Sequence, residues 1–344
     1  DTRPVAAAAA IAEALRAASK PLFVFGGGAA RGAADWRRIV ELAGAASFTT
    51  YAGRGVAAGH ALDFGAYLAR PDSADRVAEA DLVVAVGTEL SEIDLWRDRL
   101  GHSGRFIRVD IDPAELRAEP GTTLAVQSDA AALAEELLNQ GELGGATGWQ
   151  AAEVSAARTR WKAECEAERP GIVAVCDALR AALPADTMVF SDMTQFGYVA
   201  KEVWPMDRPG HWHHPFGFGT LGYALPAAIG GAVARRGRPT LAIAGDYGFQ
   251  YTVQELGAAV ELGLPLPILV WDNGKLKEIE DSMVRAQIAP RAVEARNPDF
   301  AALARAYGAH AQTPRTVDEV AAAARQALQA DAPTLIHVRA DIPA

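Results

Sequence analysis

The sequence predicts an α/β protein of two parallel-sheet, three-layer domains, because apolar runs ending in glycine or acidic residues alternate with alanine-rich helical stretches. In the first part the runs are PLFVFGGG, ADLVVAVGTEL and GRFIRVDIDP, separated by stretches such as Val5 to Ala18. In the second they are TMVFSD, TLAIAGD, LPILVWDN and TLIHVRAD. The domains are expected at 1–140 and 169–344. Between them, QGELGGATG at 140–148 reads as a linker and Ala151 to Glu168 as a charged helix. A length of 344 residues suits two ordinary domains, and an apolar half is enough for substantial cores.

Charge and cysteine content narrow the class. A formal net charge of −10 argues against nucleic acid as a partner, and no polybasic stretch offers a grip on a membrane surface. The apolar run Gly222 to Ala234 is too short to span a bilayer. The two cysteines, Cys165 and Cys176, read as reduced thiols, which with no visible signal peptide predicts a cytoplasmic protein. The chain begins at Asp1 without a methionine, so a processed or excised part of something longer is expected.

The chemistry concentrates in Gly245-Asp246-Tyr247-Gly248-Phe249-Gln250 and in Asp272-Asn273-Gly274. Each follows an apolar run, so both are placed at carboxyl ends of parallel strands, where open sheets bind ligands. A carboxylate, an amide oxygen and a backbone carbonyl from neighbouring strands suit a hard cation, and magnesium is expected. Gly248 and Phe249 are expected to lead into a helix beginning near Val253, whose amino end would receive a phosphate.

GDYGFQYTVQELGAAVELGLPLPILVWDNG resembles the diphosphate-binding motif of thiamine diphosphate enzymes of the acetolactate synthase and 2-oxo acid decarboxylase superfamily. HHPFGFGTLGYALPAAIGGAVA (213–234) is similar to the stretch before that motif, and SDMTQFGYVA (191–200) to its upstream diphosphate loop, so the resemblance covers almost the whole chain. It implies a central domain followed by a diphosphate domain. It also implies that Asp246 and Asn273 bind magnesium through their side chains and Lys275 through its carbonyl. Asp192, Thr194, Gln195, Gly219, Gly245, Tyr247, Gly248 and Phe249 would adjoin the cofactor. Two positions depart from the family pattern of GDG and a double Asn: Tyr247 replaces the last glycine and Asp272 the first Asn.

Family members carry a further domain that holds the aminopyrimidine ring and supplies the glutamate that activates the cofactor. The expectation is therefore that this chain holds the metal and diphosphate half. A pyrimidine-domain subunit or a severed amino-terminal segment would complete it in an oligomer. Leu221, in GFGTLGY, matches the bulky residue beneath the cofactor's bend; the plainer reading is a core leucine. KLKEIEDSMV (275–284) looks like the 5-guanidino-2-oxopentanoate decarboxylase branch. Glu278 and Asp281, three apart on one helix face, would meet a cationic substrate tail; the alternative is a solvated acidic face. An acetolactate synthase-like carboligase and a non-catalytic diphosphate-binding homologue remain open.

Other features carry less. His211, His213 and His214 invite zinc, but they sit in a Pro- and Gly-rich stretch without a fourth ligand and are expected in a loop lining the cofactor cleft. Gly26-Gly27-Gly28 follows a strand as a dinucleotide turn does, yet Arg31 stands where the last glycine of that fingerprint belongs. A nicotinamide-dependent dehydrogenase is thereby disfavoured, and the first domain is expected to hold an empty or vestigial site. Asp192 and Gln195 have a capping or turn role as their alternative.

Overall fold

A computed structural model describes residues 4–118, 120–144, 148–294 and 296–343. The expected linker thus includes three residues, 145–147, outside the described ones. The chain divides into two compact units, Asp1–Ala163 with Pro205–Gly210, and Glu164–Trp204 with His211–Ala344. Each is a three-layer α/β unit, as the alternation of apolar runs and helical stretches predicts. No described helix is long and apolar enough to cross a membrane, and Cys165 and Cys176 are buried.

The first unit contains β1 (Pro21–Phe25), β2 (Ala46–Thr49), β3 (Leu82–Val86), β4 (Arg105–Asp110) and β5 (Thr122–Gln127). They form one sheet in the order β2-β1-β3-β4-β5, and every pairing is parallel. All residues of β1 and β3 are buried, which is why these strands read as uninterrupted apolar runs: helices cover both sheet faces. Phe23 and Phe25 of β1 stack at 5.5 Å, and Trp36 of the helix Ala33–Ala43 leans on both rings at 6.0 and 5.7 Å.

The Gly26-Gly27-Gly28 run has a packing cause. It leaves β1 as a 3₁₀ turn, Gly27–Gly32, directly against the end of β3. A Cβ on Gly26 would lie 2.1 Å from the Gly87 carbonyl oxygen and 2.5 Å from Thr88 Cβ. Close approach of two backbones, rather than a nucleotide, accounts for the glycine.

The second unit holds β6 (Met188–Ser191), β7 (Trp212–His213), β8 (Thr240–Gly245), β9 (Pro267–Asp272), β10 (His310–Gln312) and β11 (Thr334–Arg339). The order β10-β11-β9-β8-β6-β7 is again wholly parallel, with β8 and β9 buried throughout. Its core joins Ala242, Ala244, Ile268 and Val270 to Leu225 and Ile229 of the helix Ala224–Ala234 and to Phe300. Where a histidine loop is expected, Trp212 and His213 instead form the edge strand β7. Paired with Val189 and Phe190, and with His213 stacked on Phe190 at 4.9 Å, they overcome the loop preference of the flanking prolines and glycines.

Gly26→Ala should lower the first unit's stability by about 2 kcal/mol or more, because the new methyl meets backbone that cannot yield. Chemical denaturation, compared with wild type, reads this as an earlier midpoint.

Candidate active site

The register of the central strands sets the site. Gly245 of β8 lies opposite Trp271 of β9, so Asp246 and Asp272 emerge side by side at the carboxyl edge of the sheet. The chain runs from β6 outward to β7 and from β8 in the other direction to β9, so the sheet has its switch point between β6 and β8. A cavity of about 160 Å³ opens there. Thr194, Gln195, Gly219, Leu221, Gly245, Asp246, Tyr247, Gly248, Asn273, Lys275 and Glu278 line it; Asp192, Phe249 and Asp281 do not. Its volume is below the roughly 300 Å³ at which pockets for drug-sized ligands begin, so these walls suit a head group with its ion.

The helix expected near Val253 begins earlier. Asp246 is already the first residue of a short helix, Asp246–Tyr251, and a second helix, Glu255–Glu261, follows a break at Thr252. The Thr252 hydroxyl donates to the Gly222 carbonyl at 3.2 Å, and its φ of −133° takes the chain out of the helix. Phe249 faces the core, edge-on to Phe300 at 5.8 Å and fully buried.

Asp192 lies behind the cavity wall. Only 1 % exposed, its carboxylate accepts the Gly222 amide at 3.0 Å and the Ala224 amide at 2.7 Å, fastening the loop that carries Gly219 and Leu221 to the end of β6. Burial pushes this carboxyl above the ordinary range against the pull of the amides. Gly248 packs on the same carboxylate, and a Cβ there would stand 2.1 Å from Asp192 Oδ2. Leu221 is half-buried and faces the cavity rather than joining the core.

Asp246 and Asp272 share one donor. Asn297 Nδ2 gives 2.7 Å to Asp246 Oδ2 and 2.8 Å to Asp272 Oδ1, while His337 Nε2 of β11 lies 2.8 Å from Asp272 Oδ2. Burial raises the Asp246 carboxyl above its usual range, the Asn297 bond only partly offsets this, and the charge of Asp272 raises it further. Burial also raises Asp272, but the contacts with His337, Asn297 and the Gly274 amide win and hold it below the usual range. The acidic departure at 272 is thus absorbed by His337.

The other elements of the metal loop are held in place. Asn273 Nδ2 donates to Gln195 Oε1 at 3.0 Å and its Oδ1 accepts the Lys275 amide at 3.1 Å; Gln195 also receives Trp271 Nε1 at 3.3 Å. These residues fit the implied magnesium. Asp246 is a buried carboxylate short of positive charge, and a carboxylate, an amide oxygen and a carbonyl are hard donors. They fit a diphosphate through that ion.

Glu278 lies in the first turn of the helix Lys277–Arg285, none of whose residues is buried. Its carboxylate already holds a guanidinium: Arg169 donates Nε at 2.9 Å and an amino nitrogen at 2.8 Å, a bidentate pair. That bond, offset by burial, raises the Arg169 pKa. Asp281 is paired with Lys277, and Glu280 takes Lys275 Nζ at 3.0 Å. Arg169, Asn297 and His337 were not legible as site residues in the sequence: each lies far from both motifs, and only tertiary contact reveals it.

The histidines do not converge. His213 stacks on Phe190 and His214 Nδ1 accepts Trp212 Nε1 at 3.0 Å; none of the three lines the cavity. Among the described residues no group of three His, Cys, Asp or Glu is arranged to hold a metal. In the first unit a separate cleft of about 560 Å³ opens beyond Gly27 and Gly28, walled by Glu89, Asp110, Asp112, Glu115 and Asp129 against Arg31, itself paired with Asp129. That field opposes a diphosphate.

Residues 192–338 match the family model described as thiamine pyrophosphate enzyme, C-terminal TPP binding domain, and residues 8–137 match thiamine pyrophosphate enzyme, central domain. The probable 2-ketoarginine decarboxylase AruI of Pseudomonas aeruginosa is 40 % identical over 336 residues, 96 % of this chain and 60 % of that protein. Acetolactate synthase isozyme 2 large subunit of Escherichia coli is 32 % identical, over 77 % of this chain and 48 % of its own. The isozyme 1 large subunit is 25 % identical, over 95 % and 59 %. The chain therefore spans about half to three-fifths of the length of these relatives.

Gly248→Ala should cost about 2 kcal/mol of stability in the second unit, since the Asp192 carboxylate it would strike is fixed by two amides. Thermal unfolding beside Gly257→Ala, where a Cβ meets only ordinary contacts, checks the direction.

Proposed function

The chain belongs to the thiamine pyrophosphate enzymes, and from that premise we propose that it holds the diphosphate and magnesium half of an active site that decarboxylates a 2-oxo acid, 5-guanidino-2-oxopentanoate in particular. The observation that carries this reading is the meeting of Asp246, Asn273 and Lys275 in one cavity with Leu221 and Glu278. The Asp246 carboxylate, the Asn273 amide oxygen and the Lys275 carbonyl hold the ion, and Gly245, Tyr247 and Gly248 border the diphosphate. Thr194, Gln195 and Gly219 complete the wall. When bound, thiamine diphosphate supplies the electron sink for the carbon–carbon bond broken as carbon dioxide leaves.

This chain's own residues bind and orient. Leu221 gives the cofactor apolar support. Gln195 fixes the Asn273 amide, whose oxygen would be a ligand of the ion, and Asn297 and His337 keep the paired carboxylates compatible. Glu278 receives the substrate's guanidinium, while Asp281 is neutralised by Lys277 and lies off the cavity wall. The glutamate that activates the cofactor comes from polypeptide outside these 344 residues, on the same chain or on another subunit of an oligomer. Two relatives are acetolactate synthases, so the second reading joins the acyl unit to another 2-oxo acid. Product analysis separates the two.

Thiamine diphosphate with magnesium at about 100 times its Kd should stabilise the chain by about 2.7 kcal/mol. Chelating the metal, or replacing Asp246 by Ala, should abolish the rise in unfolding temperature. An undiminished rise in Asp246→Ala refutes the metal assignment.

In the assembled enzyme, kcat/KM for 5-guanidino-2-oxopentanoate should exceed that for pyruvate by about tenfold or more, the worth of one good charge-assisted contact. A preference for pyruvate removes the guanidino assignment.

A further inference from the structure

Arg169 stands where the substrate's cationic end is to be received. It follows the helix Ala151–Glu168, and its guanidinium lies against Glu278 in the bidentate geometry described above, with both side chains about one-fifth exposed. The Cζ of the same guanidinium lies over the Tyr198 ring, 5.7 Å from its centroid. Tyr198 and Glu278 both line the cavity that holds Asp246 and Asn273. A carboxylate on one side and an aromatic ring on the other is the environment that recognises a guanidinium. The remaining amino nitrogen of Arg169 is 3.2 Å from Glu168, whose side chain is 48 % exposed.

We propose that Arg169 is a built-in competitor for the guanidino tail of the substrate. The substrate displaces it from Glu278, and Arg169 moves to Glu168. This deepens the substrate reading above and rests on it. The exchange replaces one bidentate guanidinium–carboxylate pair by another, so the hydrogen bonds at Glu278 are conserved. A neutral tail of the same length has nothing to offer Glu278 and leaves the pair closed. A lysine-like ammonium offers a point charge without the fork and exchanges poorly. Arg169 thereby sets specificity by what it yields to.

Its removal has a distinctive sign. An arginine that only buttressed the site would weaken ligand binding when lost, whereas a competitor strengthens it. The test uses calorimetric binding of 4-guanidinobutanoate and of pentanoate to wild type, Arg169→Met, Arg169→Lys and Glu278→Gln. The same variants, in the cofactor-loaded assembled enzyme, give KM and kcat for 5-guanidino-2-oxopentanoate.

Arg169→Met should bind the guanidino ligand about tenfold tighter and lower KM, with pentanoate unmoved, since about 1.4 kcal/mol of competition has gone. Arg169→Lys, which keeps the charge but not the fork, should fall between wild type and Arg169→Met. Glu278→Gln should erase the preference for the guanidino ligand. A wild type that binds both ligands alike overturns the substrate reading, and the exchange with it. A wild type that prefers the guanidino ligand, while Arg169→Met and Arg169→Lys bind it equally or more weakly, overturns the exchange alone.

Discussion

Two carboxylates emerge from neighbouring parallel strands, and a single amide keeps them together. Without a donor between them, Asp246 and Asp272 would repel across a short gap in a partly desolvated site, and one would have to protonate. Asn297 places one Nδ2 against both, and His337 offsets the second charge. The consequence is an uneven pair: Asp272 stays firmly ionised while Asp246 remains strained toward the neutral form. An ion that binds Asp246 relieves that strain. The remaining metal loop is organised around the same pair, with the Gly274 amide on Asp272 and the Lys275 amide on Asn273 closing the turn.

Much of this was legible before any coordinates. The parallel sheets follow from apolar runs too continuous for half-exposed strands. Adjacency of the two motifs follows because consecutive strands in such sheets commonly neighbour one another. Thr194, Gln195, Gly219, Leu221 and Glu278, by contrast, were named through the family resemblance of 191–200, 213–234 and 275–284. What stayed hidden depends on contacts that sequence distance conceals. Asn297 precedes a proline in an irregular connection, and His337 occupies a position of β11 that an apolar residue could fill. Arg169 follows a charged helix whose pattern reads as solvated. Local propensity also misplaced the helix start, because Thr252 is drawn away by the Gly222 carbonyl, a partner 30 residues upstream.

The two units show how little the sheet alone decides. Both end their strands in a glycine-bearing turn beside a cleft, and both follow the same winding rule. In the first, Arg31 pairs with Asp129 and Arg108 lies 3.9 Å from Glu115, yet burial with the nearby Glu89 raises Glu115 above its usual range. In the second, each carboxylate near the cavity has an assigned partner. Asp192 has two amides, Asp272 has His337, and Glu278 has Arg169. These partners hold the carboxylates of the second site in place, a preparation that suits the family's diphosphate cofactor.

Arg169 bears on that preparation directly. A bare Glu278 carboxylate would face the region that receives a diphosphate and would repel it, and the cavity's low dielectric would magnify the cost. Paired with Arg169, Glu278 adds no net charge to the resting cavity. When a guanidino tail takes the place of Arg169, the balance is unchanged, because one guanidinium has replaced another. Under the proposed exchange, cofactor binding and recognition of a cationic tail would be compatible within one small cavity. A permanently unpaired carboxylate would have improved one at the expense of the other.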